Sequence, residues 1–156
     1  MPQLTLLCLA IIALALLLGA AAYESVVMAP NYERDIPGSI ATAREFLRRA
    51  TPARYFRVVS PVAQVLTLGA LVVNWPVPRA RWAVLAALAI LVLLDLITFR
   101  FHYPRLAILF RSSEPVEPEV LGRAAHEWAR GNIWRIVLLL LAFIALLVAL
   151  VAEAAS

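Results

Sequence analysis

Lysine is missing from this 156-residue chain; all 14 basic residues are arginine. A GC-rich coding sequence accounts for that bias, since nothing in the physics of membranes forbids lysine. Charge of either sign is scarce, at 15% of residues against about 25% in globular proteins. The single cysteine, Cys8, lies inside an apolar run. It excludes an intrachain disulfide and a cysteine metal cluster. There are two histidines, His102 and His126, and neither belongs to an HxH, HxxE or HExxH spacing that would set two ligands on one helix. Internal repeats, low-complexity tails and nucleic-acid motifs are also absent. The net charge of +4 therefore points to arginines at a membrane boundary, where they reach lipid phosphates, and no nucleic acid is expected as a partner.

What is abundant is apolar. Hydrophobic residues make up 63% of the chain, and they gather in four runs long enough to cross a bilayer, at about 4–22, 58–75, 82–101 and 133–152. The expectation is an all-α, integral membrane four-helix up-down bundle forming one domain over 1–156. The first run resembles a signal peptide at its small-residue end, Gly19 to Ala22. It is nevertheless expected to stay as a span, because residues 1–3 carry no positive charge and the run exceeds the usual apolar core of about 7–15 residues.

Residues 23–57 read as a polar connection. Within it, residues 40–50 predict a short amphipathic interfacial helix. Its stripe is Ile40, Ala43, Phe46, Leu47 and Ala50, with Arg44 and Arg48 facing away. The second span is the most polar, and its Gln64 and Thr67 should face other helices. Trp75 and Trp82 flank a tight turn as interfacial anchors. Residues 112–118 form a loop before the last helix. An up-down arrangement puts twelve of the arginines at one end, the charged face, and leaves Arg79 and Arg81 at the other. The positive-inside rule then makes the charged face cytoplasmic in a bacterial inner membrane, a weak signal if some of those arginines line a cavity.

On the last helix Trp128, Asn132 and Arg135 fall on one face, which continues as Leu139, Ala142, Leu146 and Ala149. Such alternation of large and small residues suits packing between membrane helices. At the charged face Glu24, His102 and His126 are ligand types for a divalent metal such as iron or copper; the other reading is hydrogen-bonded or proton-handling histidines with no metal. Asp95, a costly acid inside the third span, needs a partner, and Arg135 and Arg57 are the candidates. Trp128, Asn132 and Arg135 have the chemistry of a pocket mouth, able to stack a ring, donate to a carbonyl and grip an anionic oxygen. Tyr23, Glu24 and Asn31 can form the facing wall. A tryptophan belt with a snorkelling arginine is the competing account, though it leaves Asn132 without a role.

The four-span plan, Tyr23-Glu24 followed by Pro30-Asn31, and a last helix opening Trp128-x-x-x-Asn132-x-x-Arg135 resemble a family of small bacterial four-helix membrane proteins that also embraces the fungal anthrone oxygenases. The resemblance implies oxidation of a flat, hydrophobic, enolisable substrate near the membrane surface, with Trp128, Asn132 and Arg135 shaping the site. It implies no settled cofactor.

Two functions of different class follow. One is a pocket for a hydrophobic, aromatic or quinone-like molecule, with His126 or Glu127 as base and Arg135 stabilising an oxyanion. The other is an accessory subunit, packed against other membrane subunits or further copies of itself. A proton or ion path through Asp95, Glu24 and the two histidines is disfavoured, because polar residues thin out toward the opposite end. Convergence of the polar side chains on one cavity separates these readings.

Overall fold

The computed structural model describes residues 2–112 and 115–155; Ser113 and Glu114 of the loop before the last helix lie outside them. Five helices carry the chain: α1 (Pro2–Glu33), α2 (Gly38–Phe46), α3 (Pro52–Val73), α4 (Pro78–Phe110) and α5 (Pro118–Ala154). All but α2 are long and apolar enough to cross a membrane. They form the expected all-α bundle, and its apolar outer surface is compatible with contact to lipid.

The helices begin where the chain chemistry says they should. Proline stands in the first turn of α3, α4 and α5, where its missing N–H would find no intrahelical partner anyway. Neighbours in the ring are α1–α3, α3–α4, α4–α5 and α5–α1. The α4–α5 contact is the most extensive and the α3–α4 seam the thinnest.

The core repeats at heptad spacing. It takes Leu7, Ala10, Leu14, Leu17 and Ala21 from α1, Ala80, Val84, Ala87, Leu91 and Leu94 from α4, and Leu139, Ala142, Leu146 and Ala149 from α5. Between lipid and protein there is no hydrophobic gain to drive such contacts, so close van der Waals packing over small residues has to hold them. The polar residues of α3 are satisfied close by. The Thr67 hydroxyl donates to Ala63 O at 2.7 Å, and Gln64 reaches across to α4, donating from Nε2 to Asp95 Oδ2 at 2.6 Å.

Asp95 thus takes Gln64 as its partner, and neither Arg135 nor Arg57 holds it. A double-mutant cycle with Gln64→Leu and Asp95→Leu is expected to return a coupling of about 0.6–1.7 kcal/mol, the range for hydrogen bonds between membrane helices. Unfolding in mixed micelles measures it, and additive single effects would remove the link.

Three helices run further than the sequence reading placed them. Residues 23–33 continue α1, residues 102–110 continue α4, and α5 starts at Pro118. Pro30 and Pro104 do not end their helices because each is preceded by one turn of π-helix, Glu24–Met28 and Thr98–His102. The amide of Ala29 bonds Glu24 O, and that of Tyr103 bonds Thr98 O, five residues back in both cases. The wider turn makes room for a ring that would otherwise strike the carbonyl four residues earlier. The residue after each proline then bonds a carbonyl of that turn: Asn31 Nδ2 donates to Val27 O at 2.6 Å, and Arg105 Nη1 to Phe101 O at 2.9 Å.

These extensions build a second core beyond the first, from Ala29, Tyr32, Ile40, Leu109, Leu121, Ala124, Ala125 and Trp128. Helix α2 ends at Phe46, short of the predicted residue 50, and seats Ile40 in that core. Arg44 does not face away. Its Nε donates to Leu109 O at 2.6 Å and its Nη2 to Ile108 O at 3.2 Å, capping the open carbonyls at the end of α4.

Candidate functional site

Between the two cores lies a layer of polar side chains with almost no access to solvent. His102 is 1% exposed, Asn132 is fully buried and Arg135 is 9% exposed, with Glu24 beside it. Both π turns open at this level, so Glu24 and His102 enter the interior at the places where α1 and α4 are locally widened.

Arg135 is paired with Glu24 through Nη2 and Oε2, and its guanidinium carbon stands 4.4 Å from the centroid of the Phe56 ring. The pair neutralises two charges that would be costly to bury singly, and the ring face adds an electrostatic contact to the cation. Asn132 Nδ2 donates to Ser25 Oγ at 2.8 Å and to Ala21 O at 3.4 Å, tying α5 to α1.

Four buried polar atoms of this layer lack a partner: both ring nitrogens of His102, Asn132 Oδ1 and Arg135 Nε. Orphaned groups of this kind are uncommon in folded proteins and each requires a reason. Gly131 lets the layer close. A Cβ there would collide with the Phe101 ring and lie 3.1 Å from His102 Cε1.

Two cavities meet at this layer. The outer one, about 80 Å³, is lined by Glu24, Tyr32, His102, Phe110 and Trp128, and is roofed by Leu47, Thr51 and Pro52 of the α2–α3 link. Tyr32 packs its ring 5.5 Å from Phe110 and 5.7 Å from Trp128, so three aromatic rings form one wall. The inner cavity, about 170 Å³, lies along the α3–α4 seam. Phe56, Thr98, Tyr103 and Arg135 line both.

The residues expected at a site divide. Glu24, His102, Trp128 and Arg135 converge on the outer cavity, while Asp95 and Arg57 line the inner one. Asn132 lies in the buried layer without lining either cavity.

Others lie elsewhere. His126 has its side chain 66% exposed on the far side of α5, with Nδ1 3.3 Å from Glu33 Oε1. It is two residues from Trp128, or about 200° around the helix, and so cannot share its face. Glu127 is held on the flank by Arg105, at 2.8 Å from Nε and 2.7 Å from Nη2. Neither is placed to act as base. Tyr23 is exposed on the outer surface, and Asn31 is spent on its own helix.

The metal triad of Glu24, His102 and His126 does not assemble. Among the described residues no three His, Cys, Asp or Glu side chains stand close enough to hold an ion. Tyr32, Phe56, Ser25 and Tyr103 were not expected at the site. The signal for Tyr32 was Pro30, once read as a proline inside a helix.

Chemically, the layer offers an uncommitted imidazole, which can donate at one nitrogen and accept at the other, beside a guanidinium N–H with no acceptor. Comparison of the chain with family models, with characterised proteins and with solved structures finds no match.

Proposed function

We propose that the protein binds a hydrophobic, oxygen-bearing ring, aromatic or quinone-like, against His102 at the charged end of a bundle set in the bacterial inner membrane. The observation that carries this is the buried imidazole with both nitrogens unpartnered in the wall of a cavity. A ring hydroxyl or carbonyl would give one of these nitrogens its partner, and Tyr32, Trp128 and Phe110 would stack it.

The sizes favour one ring over three fused ones. A void of about 150 Å³ takes a benzene molecule; the outer cavity alone, about 80 Å³, is smaller than that, so a ring at His102 would extend over the shared walls of Phe56 and Tyr103 toward the inner cavity of about 170 Å³. The role expected of His126 or Glu127 passes to His102. Its neutral imidazole would accept a hydrogen bond from a phenol or enol, and Arg135 Nε would donate to the oxygen as it gains negative charge. An electron-rich enolate of this kind is what an oxidant such as dioxygen attacks, which is the sense in which the resemblance to the anthrone oxygenases bears on this chain.

His102→Leu separates the reading from a purely structural histidine. Titration of purified protein with tetramethyl-1,4-benzoquinone, followed by quenching of tryptophan fluorescence, is expected to show at least a tenfold loss of affinity in the variant. Unfolding should show no loss of stability, and a gain of up to about 1–3 kcal/mol, because two orphaned nitrogens are removed. A variant that is less stable yet quenches like the parent would overturn the assignment. Protein that binds no ring and co-purifies with other membrane subunits would leave the accessory role.

A further inference from the structure

The outer cavity accounts for a ring, and the inner one differs in where it opens. Leu17, Leu91, Leu94 and Leu139 form an apolar side to it, Arg57, Asp95 and Thr98 line it as well, and Phe99, 64% exposed, stands at its outer rim. It occupies the thinnest seam of the bundle, between α3 and α4. There Pro61 lines the cavity on the α3 side, and the proline ring has no N–H for the helix ladder. Toward the opposite end of the bundle the seam closes over packed Leu and Ala side chains. The cleft therefore runs from His102, past Phe56 and Tyr103, to the lipid-facing side of the α3–α4 seam, and stops halfway down the bundle.

We propose that the ligand has two parts, an oxygen-bearing ring held at His102 and an apolar tail, acyl or prenyl, that lies in the inner cavity and leaves through the α3–α4 seam into the bilayer. This rests on the ring reading above. The shared walls make the two cavities one continuous path, and the place of the inner one on the α3–α4 seam, with Phe99 exposed at its rim, gives that path a direction toward the bilayer. A tail gains no hydrophobic free energy by moving from lipid into the cleft, whose leucine side is at best as apolar as the bilayer. Its contribution is orientation: a tail threaded between α3 and α4 fixes which edge of the ring meets the imidazole. Asp95 lines the same cleft with Gln64 bonded to its Oδ2, so the tail would lie along the leucines rather than against the carboxylate.

The test uses the full chain in phosphatidylcholine vesicles and a fully substituted benzoquinone carrying one decyl chain with a diazirine at mid-chain. Full substitution of the ring keeps it from alkylating the exposed Cys8. After illumination, labelled peptides are mapped with and without excess tetramethyl-1,4-benzoquinone, the same ring without a tail. Labelling is expected to concentrate in residues 57–61 and 91–99 and to fall at least fivefold with the competitor and in His102→Leu. Labelling that the competitor suppresses but that maps to residues 47–53 and 106–111, or to the outer faces of α1 and α5, overturns the tail path and leaves the ring site standing. Labelling that the competitor does not change, and that follows lipid exposure alone, overturns the ring reading itself.

Discussion

Replacing Arg135 by methionine is expected to cost about 3–5 kcal/mol of stability, the penalty for leaving one member of a buried ion pair uncompensated. Glu24 would remain with a carboxylate shielded from water by both cores, and Phe56 would lose the cation on its face. Glu24→Met should be comparably damaging, because it strands the guanidinium instead. The double variant, with both replaced by methionine, should recover most of the loss, since apolar side chains of similar volume often substitute for a buried pair at little cost. Unfolding of the three variants in mixed micelles measures this. A double variant no more stable than the weaker single would mean that the pair is not the reason for the loss. If the fold recovers, ring binding should not, because Arg135 Nε is gone.

The second large effect is expected at Gly131. Glycine to alanine within an exposed helix is favourable by about 1 kcal/mol, so an ordinary glycine would give a more stable protein. Here the sign should reverse. The new Cβ would collide with the Phe101 ring, with its Cδ1 at 2.9 Å. That ring cannot swing away easily, because the Arg105 guanidinium covers it at 3.6 Å and is itself bound to Glu127. Overpacking of this kind costs about 1–3 kcal/mol, and it pushes on His102 as well. Gly131→Ala should therefore lower both stability and affinity for the ring. Gly19→Ala, whose Cβ would meet nothing within 4 Å, serves as the control and should be neutral or favourable. Equal behaviour of the two variants would show that the α4–α5 contact tolerates a methyl group.

Much of the architecture was legible, and the reasons are physical. Four apolar runs, and one face of α5 from Trp128 and Asn132 through Arg135 to Ala149, declare themselves by length and period, because a bilayer permits few alternatives. The same arithmetic should have moved His126 to the outside, and residue type drew it to the site instead. Arg44 was assigned to solvent because a charge on an amphipathic helix usually faces water; the open carbonyls of Ile108 and Leu109 were invisible until α4 was known to extend that far. The largest difference lies at the ends of α1 and α4. The apolar runs give way to polar and charged residues after 22 and 101, and nothing in that composition says that the helices continue to Glu33 and Phe110 and build a second core. Gln64 was expected to face another helix, but nothing in the sequence said that Asp95 would be across from it. The orphaned nitrogens of His102 exist only in three dimensions.

The paired π turns have one more consequence, for how such a molecule can be altered. A π turn is an α turn with one residue added, and each of these sits six positions before a proline, in Glu24–Met28 and Thr98–His102. Everything on the bilayer side of the turns keeps its heptad phase, while everything beyond them is rotated as a block by the extra residue. The apolar half of the bundle and the end that carries the second core are thus geared separately. Removing one codon from either turn would leave the spans in register and aim Tyr32 or Leu109 somewhere new, so a lineage built on this frame could reshape its outer cavity by single-residue insertions and deletions while its apolar half stayed as it was.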